Sequence, residues 1–122
     1  VNLTKKLTVT SVAVAFVALT LLAPLSARAS SASNVTITQI AIDPAYGNFV
    51  FIALSAVPTG RPGCSSSGSW YYTFPFSGTI YKEMYSTLLA AMMSGKLIST
   101  TGAGVCNESG TVETLRGFNV VN

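Results

Sequence analysis

The stretch WYYTFPF, residues 70–76, runs directly into SGTIYKEMYSTLLAAMMSG, residues 77–95. The first part alternates. Trp70, Tyr72, Phe74 and Phe76 share one face of an extended chain, and Tyr71, Thr73 and Pro75 share the other. Four large aromatics on one side predict a strand lying on a core, with a platform that stacks on sugar rings as the alternative reading. Pro75 has no N–H to donate, so it belongs near an edge or a strand end. The second part changes period. Ile80, Tyr81, Met84, Tyr85, Leu88, Leu89 and Met92 recur at three- and four-residue spacing, which predicts a helix over Ser77–Ser94. Ser77 or Thr79 can cap its start, Glu83 sits early in it, and Gly95 ends it.

On the N-terminal side, Asn34 to Ile42 (NVTITQIAI) is β-branched and reads as a strand. Val35 and Ile37 fall on one face, Ile40 and Ile42 on the other. That change of phase predicts a bulge or strong bend near Gln39. Asp43 to Asn48 carries the turn formers Asp, Pro, Gly and Asn. Phe49 to Val57 (FVFIALSAV) is apolar on both faces and predicts a strand covered on both sides, paired with the first run as a hairpin. On the C-terminal side, Leu97–Thr101 and Thr111–Val121 read as two further strands. The order is then βββαββ: five strands with one helix between the third and the fourth. An all-β to α+β domain in that order is an OB-fold-like barrel.

Residues 1–29 have the pattern of a secretory signal peptide. Lys5 and Lys6 precede an apolar run from Leu7 to Ala23, Pro24 breaks it, and Ala27-Arg28-Ala29 supplies the small residues of a cleavage site. The expected cut lies between Ala29 and Ser30. It leaves residues 30–122 as a single domain, secreted or periplasmic, with no membrane span once the leader is gone. Ser30–Ser33 reads as a mobile tail. The cut also changes the charge. Lys5, Lys6 and Arg28 go with the leader. The remaining Arg61, Lys82, Lys96 and Arg116 balance Asp43, Glu83, Glu108 and Glu113. A neutral domain argues against a nucleic-acid partner.

The domain holds two cysteines, Cys64 and Cys106, and an even count in an oxidising compartment favours a disulfide between them over two free thiols. The bridge would tie the loop before strand three to the loop before strand five. Histidine is absent, which removes Ser-His and Cys-His catalysis and the commonest transition-metal ligand. The four carboxylates read as solvated loop charges. No catalytic residue, metal site or cofactor is expected, and the chain reads as a non-enzyme. Candidate ligand contacts are Tyr71, which points away from the aromatic face, and Arg61 and Arg116, whose planar forks suit an anionic group such as a sugar carboxylate. The helix stripe of Tyr81, Tyr85, Leu88 and Met92 either plugs the barrel or lines an oligomer interface.

Several of these segments also resemble a known group. Cys64 through Trp70, Lys82-Glu83-Met84-Tyr85, Leu88-Leu89-Ala90-Ala91, Ser94-Gly95-Lys96, Gly102-Ala103-Gly104-Val105-Cys106 and Val112-Glu113-Thr114-Leu115 look like a set of small secreted bacterial proteins of largely unknown function. Their helix-to-strand segment is similar to that of the receptor-binding B subunit of subtilase cytotoxin. The resemblance implies an OB-fold, a pentameric ring and binding to cell-surface glycans, and it transfers no functional residue to this chain. The expected function is a secreted binding module for a glycan or cell-surface protein. The rival is a periplasmic or envelope accessory or inhibitor protein that binds a protein partner.

Overall fold

The run expected as one strand over 34–42 is two. The computed structural model describes residues 28–122 and places β1 at Ser31–Val35 and β2 at Ile37–Ile42, with Thr36 alone between them. Two irregularities turn the chain here. The pairing register of β1 slips between Ala32 and Val35, where Asn34 takes a left-handed conformation (φ 54°) that asparagine tolerates better than most residues. The register of β2 slips again between Ile37 and Gln39, at the expected change of phase. The bend sends the two halves to different neighbours: β1 pairs with a strand from the C-terminal half, and β2 with the strand that follows it. The strand count is therefore six rather than five, and the order is ββββαββ. The leader reading lies outside the described residues, apart from Arg28 and Ala29, which are exposed.

The remaining elements follow the sequence more closely. A short 3-10 turn, Pro44–Tyr46, leads into β3 at Phe49–Leu54, which is antiparallel to β2. The aromatic strand is β4, Tyr72–Pro75, with Pro75 its last residue and Trp70 and Tyr71 just before it. The helix α1 spans Thr79–Ser94. β5, Leu97–Gly102, and β6, Glu113–Val121, complete the chain. The sheet order is β1-β5-β6-β4-β3-β2, with every pair antiparallel except β4–β6. The first and last strands in that order are joined through Thr36, so the sheet curls and its two ends are halves of one bent run.

The core lies inside the curl. Val50, Ile52, Leu54, Tyr72, Phe74, Ile98 and Leu115 from the sheet meet Leu88 and Ala91 from α1. Full burial of a residue such as Leu88 contributes about 1.5–3 kcal/mol. Tyr81 stacks on Phe74 at 6.1 Å between ring centroids, and Tyr85 meets Phe76 edge-on at 5.2 Å. The tyrosine stripe of the helix thus packs against the aromatic strand. α1 starts without the expected side-chain cap, since Gly78 is the N-cap residue and makes no capping bond. Glu83, the fifth helical residue, lies outside the first turn. β3 is covered on both sides as expected, with Phe51 and Ala53 buried opposite Val50 and Ile52.

Cys64 and Cys106 form the expected disulfide, with Cα atoms 6.2 Å apart. It joins the β3–β4 loop to the β5–β6 loop. Such bridges persist in oxidising compartments. Among the described residues, no helix is long and apolar enough to cross a membrane.

Candidate binding site

The outer face of β2 and β3 carries a cleft of about 180 Å³ lined by Ala41, Asp43, Tyr46, Phe51 and Trp70. Three elements build it. β2 delivers Ala41 opposite Phe51 of β3. The turn after β2 places Asp43 and Tyr46 at the rim. The segment entering β4 supplies Trp70. The turn is locally determined: Asp43 Oδ1 accepts the Ala45 N–H at 2.9 Å, Pro44 fixes the first turn residue, and Gly47 (φ 97°) ends it. A Cβ at Gly47 would press into the Phe49 ring at 2.7 Å, so the turn that presents Tyr46 needs glycine there.

The three rings form a continuous aromatic wall. Tyr46 meets Phe51 edge-on at 6.4 Å, and Phe51 meets Trp70 at 6.0 Å with the planes tilted by 51°. Phe51 is buried and Trp70 half-buried, while Tyr46 is 71% exposed. A tyrosine this exposed beside two covered rings contributes little to the core. Its free face, the floor of Phe51 and the second Asp43 oxygen together offer an apolar plane beside a hydrogen-bond acceptor. That is the composition of a small-ligand cleft. Sequence alternation missed the site because Tyr46 lies in a turn, Phe51 lies in an apolar run, and Trp70 was expected on the core face. Trp70 and Tyr71 precede β4 and do not follow its alternation, so Trp70 packs on Phe51 outside while Tyr71 packs against the core. Only the Asp43–Asn48 turn signal pointed near it.

The three residues singled out from sequence divide into a pair and a single. Arg61 lies over the Tyr71 ring at 5.3 Å from its centroid. Its Nε donates to Ser65 Oγ at 3.1 Å and its Nη2 to the Ser67 carbonyl at 2.6 Å. The guanidinium therefore braces the 61–67 loop, and Tyr71 is half-buried beneath it. Arg116 is exposed on β6, at a separate cleft with Thr101, Phe118 and Asn119.

The carboxylates are not uniformly solvated, contrary to the expectation from sequence. Glu113 is fully buried. It stands in register with Tyr72 on the neighbouring strand, so both side chains leave the same face of the sheet. Its Oε1 accepts the Ser30 N–H at 3.1 Å and the Gly104 N–H at 2.9 Å, and its Oε2 accepts the Ser30 hydroxyl. Tyr72 Oη lies 2.8 Å from the same hydroxyl. Burial pushes the Tyr72 phenol above its ordinary pKa, and the hydrogen bond with Ser30 offsets part of that rise. The expected mobile tail is likewise ordered: Ser30 is buried and residues 31–33 belong to β1. Glu108 is half-buried and accepts from Thr114 Oγ1.

No family model, curated protein or solved structure matches this chain.

Proposed function

We infer that the protein is an exported, non-enzymatic binding module on an OB-type barrel, and that its aromatic cleft takes a sugar ring of a cell-surface glycan. The barrel assignment rests on the bent first run serving both ends of the sheet order, the parallel β4–β6 pair and the helix between β4 and β5. Export rests on the leader pattern at 1–29 and agrees with the disulfide. The observation that carries the ligand class is the Tyr46–Phe51–Trp70 wall with Asp43 at its rim. The axial C–H groups of a pyranose present an apolar face to such a wall, while the ring hydroxyls donate to the carboxylate. The same reading includes assembly into a ring of copies, which would multiply weak single-site binding.

Glycan-array screening of the exported protein, followed by titration of the best ligand, tests the reading. Tyr46→Ala should weaken binding about tenfold, near the worth of one aromatic contact, and leave the thermal midpoint unchanged. Binding to no glycan above background, or equal binding by the variant, overturns it. A second reading, an envelope accessory or inhibitor protein, draws on the exposed Ile80 and Met93 of α1 (62% and 77%). It predicts capture of one envelope protein, abolished by Ile80→Asp with Met93→Asp, and no glycan binding.

A further inference from the structure

Among the described residues, the buried Glu113 carboxylate has three hydrogen-bond donors, and none of them is a cation. Moving an unpaired carboxylate out of water is costly, and buried charges are normally paired. Two of those donors belong to Ser30, the residue that follows the expected cleavage site. Ser30 is 1% exposed, while Arg28 and Ala29 before it are exposed. Its position is held from several sides. Its carbonyl accepts the Gly102 N–H at 2.8 Å, its hydroxyl bridges Tyr72 and Glu113, and its N–H points at Glu113 Oε1.

We propose that leader removal creates the missing counter-ion: the new α-ammonium group of Ser30 pairs with Glu113 inside the domain. The proposal rests on the export reading and is independent of what the aromatic cleft binds. Hydrolysis adds one water across the Ala29–Ser30 bond. The carboxylate stays on Ala29 and leaves with the leader, and the amine stays on Ser30 and takes up a proton near neutral pH. The nitrogen already sits 3.1 Å from Oε1, so the charge arrives in place and the chain need not move. Before the cut, the same nitrogen is a neutral amide with a single N–H. The processed chain therefore gains a charge-assisted bond that the precursor lacks, and the last step of the fold waits for the peptidase.

The test is to export the full chain from a bacterial host, read its start by mass spectrometry, and treat the native protein with a limiting amine-acylating reagent. An unprotected α-amine, with its lower pKa, reacts faster at neutral pH than lysine. The expected result is a chain starting at Ser30 whose α-amine reacts at least tenfold more slowly than the exposed Lys82 and Lys96, with the order reversing in urea. Inserting one alanine after Ala29, so that the exported chain starts at that alanine, should lower the folded-to-unfolded ratio at least tenfold, about 1.4 kcal/mol. Glu113→Gln should make the native α-amine reactive, and the wild-type labelling stands on its own if that variant does not fold. A chain that keeps its leader, or starts elsewhere, overturns both the cleavage reading and the pair. A start at Ser30 with an amine that labels as fast as the lysines overturns the pair alone.

Discussion

Gly102 stands directly against the Glu113 carboxylate, and a Cβ at that position would collide with it. The carboxylate is fully buried and held by its three donors, so moving it would break hydrogen bonds and the constraint falls on the glycine. Gly102→Ala should destabilise the fold by about 1–3 kcal/mol, the usual scale of overpacking, seen as a lower urea midpoint with an unchanged slope. Nothing local in the sequence marks this pair. Gly102 sits in a loop-like GAG stretch and Glu113 in TVETL, and their meeting depends on β5 and β6 pairing with a register slip between Thr101 and Gly102 that skips Arg116. Of the aromatic run, the part inside β4 was legible and Trp70 and Tyr71, which precede the strand, were not. Tyr72 and Phe74 are fully buried, as alternation along 70–76 requires, because large rings on one face of a strand have nowhere else to go. Tyr46 was not legible, since a turn residue has no period to reveal its face.

At the level of elements, local pattern carried α1 and β3 to β6 to within a few residues. The slip of phase between Val35/Ile37 and Ile40/Ile42 marked where the first run bends. It did not show that the two halves would change partners, because partner choice is a non-local property. The disulfide was legible from the expected compartment and the cysteine count, and its role appears only in the fold: it clamps the two long loops to each other. Cys64 and Cys106 are 42 residues apart. Replacing both with serine should cost about 4 kcal/mol in the chain-entropy account, measured as a drop in the unfolding midpoint under non-reducing conditions. An unchanged midpoint would mean that the loops hold without it.

For the molecule as a whole, the buried phenol of Tyr72 sets an alkaline limit. Its folded-state pKa is raised, chiefly by burial, above the unfolded value of about 10. The protonated form is therefore favoured by folding. Its contribution is fully present below pH ~10 and is lost as pH rises through the folded-state pKa. Stability measured by urea titration should fall above pH ~10, and Tyr72→Phe should flatten that decline while losing the bond to Ser30. The curled sheet has a further consequence, in the timing of synthesis. β1, the first strand of the domain to emerge, finds its partner only in β5, and Ser30 meets Glu113 from 83 residues away. Closing so distant a pair comes late and is entropically costly. A chain threaded N-terminus first through a narrow channel thus has no finished half-domain to jam behind it. The two ends of such a chain join only after nearly all of it has passed.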